Sequence, residues 1–351
     1  MGVGKILVAG DRHILSRLLV EALQGELGGD PDIVTIDFDW PVEPHIGVAE
    51  VEEAAGSEEE IIARGDGAEV IVTQLAPITQ KVLGSLESLR LVVVTRGGPV
   101  NVNVDAATEH GVIVANAPGR NAPAAAEYAL GLMLAAMKRI PDAHASLKGG
   151  EWRGEFYAYE ENGVELDGAT VGLVGFGAVG SRVSKVLRAF GATVLVHDPF
   201  VGDERVEEVG ARKTTLDELL GRSRVVSFHA RLTDETRGMI GAAQIARMPG
   251  SSVLINTARG GLLDYEALCD ALESGHLGAA ALDVYDEEPP PASSRLFEVP
   301  NLVLSPHIAG ATRETAHRAA SIAAAEVGRY ARGEELANSV NPEVVSENSS
   351  G

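Results

Sequence analysis

The sequence predicts an α/β protein made of two doubly wound parallel sheets. Three observations predict it. Short apolar runs alternate with helix-period segments along most of the chain, an order that favours parallel strands joined by helical crossovers. One apolar run, within 170–180, ends in three spaced glycines and opens a helix. Polar residues with usable chemistry then recur at the ends of the later strands, where ligands of such sheets collect.

In the first part of the chain, apolar runs predict strands at 6–9, 33–36, 70–73, 91–94 and 112–114, with helices near 15–26, 58–64, 80–86 and 105–110. The acidic run 50–60 reads as a solvated helix or loop surface. A long helix is expected at 124–139, closed by Pro141. Residues 142–167 carry Gly149, Gly150 and the aromatic group Trp152, Phe156, Tyr157 and Tyr159. Such an irregular excursion packs either on a second subunit, making a homodimer, or on itself.

The second part opens with an apolar strand at 171–174, followed by Gly175, Gly177 and Gly180 in the spacing G-x-G-x-x-G. The segment 178–190 places Val179, Val183, Val186, Leu187 and Phe190 on one helical face. The first two glycines allow a tight turn and close approach of a pyrophosphate; the third lets the helix pack on the strand. A ligand-free turn would carry the same glycines. The complete order of strand, glycines, helix, second strand at 193–197 and terminal Asp198 favours a dinucleotide-binding unit. Asp198 would accept from a ribose 2′-hydroxyl and repel a 2′-phosphate, so the expected cofactor is NAD rather than NADP. Further strands at 225–228, 253–255, 278–282 and 302–304 bring the expected number to six. Their ends present His229, the Asn256-Thr257-Ala258-Arg259 stretch, Asp283 and His307. A last helix is expected at 311–332 and a disordered tail at 341–351.

Composition narrows the function. The chain is 45% hydrophobic and 23% charged, ordinary for a globular protein of two domains. A formal net charge of −22 argues against nucleic acid or an anionic membrane as partner. No apolar stretch is long enough to span a bilayer, and the N-terminus lacks a signal-peptide pattern. The single cysteine, Cys269, excludes an intrachain disulfide and reads as packing rather than as a nucleophile. A cytoplasmic protein with no metal site is expected. Arginine outnumbers lysine, which suits a high-salt habitat and a biased genome equally.

Three places in the sequence could carry chemistry. Arg259 lies in a glycine turn, where it either grips a carboxylate by two parallel hydrogen bonds or simply meets solvent. Asp283-Val-Tyr-Asp-Glu-Glu-Pro leaves a strand as an acidic, proline-rigidified loop; one such carboxylate beside a histidine would raise the histidine's pKa. His307, in Ser-Pro-His-Ile-Ala-Gly, is either structural or placed to exchange a proton beside a nicotinamide.

The stretches 116–127, 173–180, 255–264, 281–289 and 305–310 together resemble the D-isomer-specific 2-hydroxyacid dehydrogenases, and the resemblance runs to about residue 340. It implies a Rossmann-type cofactor domain at 117–308 inserted in a flavodoxin-like substrate domain, 1–116 plus 309–340, with hinges near 117 and 309. It implies the catalytic set Arg259, Glu288 and His307. Glu288 is preferred to Glu287 because the family's glutamate directly precedes the proline, as Glu288 precedes Pro289. Arg259 would hold the oxo acid, and His307, kept charged by Glu288, would move the proton. Asp283 would contact the nicotinamide end, and the N–H groups of Arg96, Gly97 and Gly98 would cradle the substrate carboxylate. The remaining cofactor contacts expected are Ala178, Val179, His229, Ala230, Thr233, Thr257, Ala258 and Gly310, together with the glycines and Asp198.

Two departures stand out. Arg231 occupies the place of a pocket-lining proline in His229-Ala-Arg-Leu-Thr233. The chain also ends too early for the regulatory domain of phosphoglycerate-type members, so serine feedback is not expected. A small 2-hydroxy or 2-oxo acid is the expected substrate; Arg96 and Arg120 would meet a distal phosphate or carboxylate, or face solvent. A phosphite-type dehydrogenase and a non-enzymatic NAD-sensing corepressor are the alternatives on the same fold.

Overall fold

A computed structural model describes residues 3–43 and 46–344. The chain folds as two compact units, one drawn from the chain up to Asn121 and again from Ala311, the other being Ala122–Gly310. The boundaries fall slightly later than expected. Residues 117–120 stay with the first unit because Ala117 N–H donates to Arg96 O at 2.7 Å and Arg318 Nε donates to Arg120 O at 2.8 Å.

In the first unit the strands are β1 (Lys5–Gly10), β2 (Ile33–Asp37), β3 (Ile46–Val48), β4 (Val51–Ala54), β5 (Ala68–Thr73), β6 (Leu91–Val94) and β7 (Ile113–Ala115). Five form one parallel sheet in the order β2-β1-β5-β6-β7. Leu7, Ile71, Val92 and Val94 build the core on one face, while Ile6, Val70, Leu91 and Val93 build it on the other. That two-sided burial is why these strands read as continuous apolar runs rather than alternating ones. Helices α1 (Ser16–Leu27), α2 (Glu58–Gly65), α3 (Gln80–Ser85) and α4 (Val104–Glu109) connect them.

β3 and β4 pair as an antiparallel hairpin whose second strand lies inside the acidic run 50–60, where a solvated helix or loop surface was expected. Val51 and Ala54 are buried while Glu52 is exposed; the two buried positions stand three apart, so the strand lacks the alternation by which one is read from sequence.

The second unit holds β8 (Thr170–Val174), β9 (Thr193–His197), β10 (Arg212–Lys213), β11 (Val225–Phe228), β12 (Ser252–Asn256), β13 (Leu277–Leu282) and β14 (Leu302–Leu304). All seven are parallel, in the order β10-β9-β8-β11-β12-β13-β14. This is the doubly wound arrangement whose strand order reverses between β8 and β11, the crevice that takes dinucleotides. β10 was not expected, since two basic residues on a sheet edge carry no apolar signal.

Helix α5 (Ala122–Met137) covers one face, packing Ala126, Ala129 and Met133 into the same core as Val171, Val194 and Ile255. Pro141 does not close a helix. It stands in the first turn of α6 (Ile140–Lys148), where a missing N–H costs nothing. Two short 3₁₀ turns, Gly154–Tyr157 and Tyr159–Glu161, follow. The remaining helices are α7 (Gly180–Ala189), α8 (Asp203–Glu207), α9 (Leu216–Arg222), α10 (Ala242–Ile245) and α11 (Tyr265–Glu273). Cys269 on α11 is buried, which pushes its thiol pKa up and leaves it a packing residue.

The chain returns to the first unit with α12 (Arg313–Ala331), which lays Ala316, Ala319, Ala320 and Ala323 in one core with Leu19 and Leu23 of α1. The expected disordered tail does not begin at Asn341. That side chain is fully buried and accepts from Val114 N–H at 2.8 Å; Val344 is buried as well. Residues 345–351 lie outside the described ones.

Candidate active site

The glycine loop between β8 and α7 is shaped by two close approaches. Gly175 has φ +98°, and a Cβ there would lie 2.5 Å from Ala230 N; a Cβ on Gly180 would lie 2.3 Å from Gly175 O. Both positions exclude side chains so that the loop, the end of β11 and the start of α7 can close together. Gly177 differs, because a Cβ there would meet nothing within 4 Å. Its backbone faces open space at the mouth of the crevice, as a phosphate cradle requires. Asp198, at the end of β9, accepts from Phe176 N–H at 2.7 Å and Phe200 N–H at 2.9 Å, so the carboxylate also fixes the loop it was expected to serve.

Beside Asp198 lies a cleft of about 520 Å³, lined by His197, Pro199, Lys213 and Thr214 among others. Lys213 went unnoticed in the sequence because it lies on β10, fifteen positions beyond Asp198. Its ammonium is engaged by Val201 O at 2.6 Å and Asp203 at 3.4 Å. His229 stands at the end of β11, and burial lowers its pKa to about 4, so it is neutral at physiological pH. The hydroxyl of Thr257, at the end of β12, is buried with no hydrogen-bond partner among the described residues. The open Gly177, the unpaired Thr257 hydroxyl and Asp198 fit a dinucleotide laid across these strand ends.

Arg259 is exposed, and its loop is held from beneath. The fully buried Asn256 donates Nδ2–H to Arg259 O at 2.9 Å and accepts from Ala258 N–H at 3.1 Å. A Cβ on Gly260 would lie 2.0 Å from the Tyr285 carbonyl, so the Arg259 loop packs against the loop leaving β13. Local sequence assigns Asn256 no such task; the signal for it is a polar side chain ending a wholly buried strand.

Asp283 is fully buried, and its two oxygens accept from Ser305 Oγ at 2.6 Å, Ile308 N–H at 3.0 Å and Ala309 N–H at 2.8 Å. Every one of those donors lies in the loop that carries His307. The cofactor contact expected of Asp283 would thus be added to a clamp. His307 itself sits at φ +53°, a conformation a non-glycine residue adopts only when its surroundings impose it. Tyr285 O–H donates to Ser305 O at 3.0 Å and steadies the same loop.

Glu288 joins the pieces. Its Oε1 accepts from Tyr285 N–H at 2.9 Å, and its Oε2 lies 2.6 Å from His307 Nδ1. That hydrogen bond raises the His307 pKa above the usual imidazole value, against partial desolvation and the opposing charge of Arg259. Glu287 makes no such contact. With Nδ1 engaged, Nε2 is the nitrogen left to meet a ligand, and the imidazole is 48% exposed. Arg96, Gly97 and Gly98 belong to the first unit, where both glycines are exposed and Arg96 is paired with Glu53.

The sequence model described as "D-isomer specific 2-hydroxyacid dehydrogenase, NAD binding domain" matches residues 130–309. D-3-phosphoglycerate dehydrogenase of Archaeoglobus fulgidus is 39% identical over 294 residues, covering 83% of this chain and 55% of that protein. The chain therefore spans about half the length of the phosphoglycerate dehydrogenases it matches first. Glyoxylate reductase of Aeropyrum pernix is 38% identical over 291 residues, 82% of this chain and 87% of that one. Among solved structures, a Thermus thermophilus protein aligns over 96% of this chain and 99% of its own, at 31% identity and TM-score 0.78. With the crevice, the glycine loop and the histidine–glutamate pair in place, these likenesses decide the question: the chain belongs to the D-isomer-specific 2-hydroxyacid dehydrogenase family, and its second unit is that family's NAD-binding domain.

Proposed function

We propose that the protein is an NAD-dependent dehydrogenase that interconverts a D-2-hydroxy acid and its 2-oxo acid. The observation that carries this reading is the His307–Glu288 pair at 2.6 Å, set on the same strand-end surface as Arg259 and the glycine loop. A nicotinamide cofactor held at these strand ends would supply or take up the hydride. Residues of this chain do the rest. The Arg259 guanidinium binds the acid through two N–H groups and polarises the carbonyl. His307, charged because Glu288 holds its Nδ1, gives the Nε2 proton to the carbonyl oxygen in reduction and recovers it from the hydroxyl in oxidation. Gly175, Gly177 and Gly180 admit the pyrophosphate, and Asp198 takes the ribose.

NADH oxidation followed with a panel of 2-oxo acids, beside NAD reduction with phosphite, tests the reading. Turnover of oxo acids supports it. Turnover of phosphite alone, or NADH binding without any turnover, replaces it with one of the alternatives on this fold.

The same proposal includes a homodimer in the cytoplasm. Trp152, Tyr157 and Tyr159 are 84%, 92% and 89% exposed in a segment that also exposes Ile140 and Leu147, a cluster that a second subunit would cover. Light scattering that returned a monomer at micromolar concentration would remove the dimer. Among the described residues no helix is long and apolar enough to cross a membrane.

A further inference from the structure

The cleft beside Asp198 holds more charge than a ribose needs. The strand register sets Lys213 of β10 opposite Val196 of β9, two residues before Asp198. A lysine stem is long enough to run from there past the strand end. Lys213 Nζ donates to Val201 O at 2.6 Å, in the loop that follows Asp198. Asp203, at the start of α8, meets the same ammonium at 3.4 Å. Asp198, Asp203, Lys213 and Glu218 all line the cleft of about 520 Å³, and all four belong to the second unit.

These charges do not all act on the cleft. Glu218 is matched by Arg212 at 2.5 Å and by Arg222 at 2.8 Å, so it adds little to the local field. One ammonium is left against two carboxylates. Asp198 already fixes the glycine loop through the N–H of Phe176 and its own turn through that of Phe200. Asp203 has no comparable duty. Its side chain is 74% exposed, and an ion pair that exposed contributes little to stability. Glu204, in the same first turn, would complement the α8 dipole without it.

The two nicotinamide dinucleotides differ at the ribose 2′ position, a hydroxyl in one and a phosphate of about two negative charges in the other. With the ribose on Asp198, that substituent is the part of the cofactor that meets the charges of this cleft. Lys213 is the natural partner for a phosphate there, since an ammonium offers three N–H donors on a flexible stem. Val201 O takes one donor, and the Asp203 carboxylate cancels the charge. We infer that Asp203 is a specificity-determining residue of the cofactor site, acting through Lys213: it neutralises an ammonium that would otherwise draw a 2′-phosphate, and so turns the cleft against NADP. This assignment rests on Asp198 taking the adenosine ribose. It makes Lys213 a latent phosphate site that one neighbouring carboxylate keeps silent.

The test is equilibrium binding to the whole chain with no oxo acid present. Calorimetry with 5′-AMP and 2′,5′-ADP, and fluorescence titration with NADH and NADPH, give the ratio of affinities with and without the 2′-phosphate. Asp203→Asn should shift both ratios toward the phosphorylated ligand by about fivefold, the scale of one exposed charge pair. Adding Lys213→Met to Asp203→Asn should cancel that gain, because the freed lysine is its source. Salt at ~1 M, where charges are screened beyond about 3 Å, should remove most of it. A ratio unchanged by Asp203→Asn overturns the assignment. So does a gain that survives Lys213→Met, which would make Asp203 a plain repulsive charge, and so does an equal loss on all four ligands, which would make it structural. Asp198→Ala separates the two readings. If it leaves 5′-AMP and NADH binding at the parent's level, the ribose placement fails and the Asp203 assignment falls with it. If it weakens both while Asp203→Asn moves no ratio, the Asp203 assignment alone falls.

Discussion

His307 is held by three separate constraints: a left-handed backbone, the Asp283 clamp on the residues around it, and Glu288 on Nδ1. The first two aim the ring and the third sets its charge. His307→Asn should lower turnover by about 100-fold or more while NADH binding, read by fluorescence, stays near that of the parent. Near-normal turnover would take His307 out of the proton transfer. Glu288→Gln separates charge from aim. In reduction the protonated imidazole is the active form, so kcat/KM holds at low pH and falls as pH rises through the raised His307 pKa. Glutamine removes the main cause of that rise, so the falling limb should move to lower pH. A limb that does not move would show that Glu288 only orients the ring. The choice of Glu288 over Glu287 was legible in the sequence, from its place before Pro289. The clamp was not, because nothing local to Asp283 says that its oxygens reach residues 305, 308 and 309.

At the scale of elements, apolar runs buried on both sheet faces were readable because at most a single small hydroxyl residue, such as Thr35 or Ser227, interrupts them. Elements whose signal is spread over few residues, or masked by charge, were missed, as with the Arg212–Lys213 edge strand and the hairpin that enters the acidic run. The consequence for function lies at Asp198. Its carboxylate serves the glycine loop and, in the proposed complex, the ribose. Asp198→Ala should therefore weaken both cofactors through the loop, and NADH more than NADPH through the ribose, narrowing the NADH preference by about tenfold. Lys213 does not overturn this expectation, since Val201 O and Asp203 already engage its ammonium. Arg231 is exposed, leaving it free to meet phosphate of either cofactor without choosing between them. Higher kcat/KM with NADPH than NADH in the parent enzyme would show that the ribose assignment is wrong.

For the molecule as a whole, local sequence misjudges the C-terminal segment most. Residues 341–351 are polar and contain a proline, the composition of a loose tail, so local patterning predicts disorder. The structure gives Asn341 a long-range task. Its Oδ1 accepts from Val114 N–H at 2.8 Å, and its Nδ2 donates to Val112 O at 2.9 Å and Thr108 Oγ1 at 3.0 Å. The side chain thereby continues the pairing of β7, the last strand of its sheet, with a partner more than 220 residues away in the chain. Asn341→Ala would leave the Val114 N–H and the Val112 carbonyl buried without those partners, at a cost of roughly 2–3 kcal/mol. Since the second unit has its own core, the loss should fall on the first unit alone. Calorimetry should then show a lowered or newly separated first transition, and amide exchange should show lost protection at Val114. The upper transition and exchange in β8 and β12 should hold. A uniform drop in both would mean that the two units unfold as one, and no drop at all would mean that water replaces Asn341 at little cost.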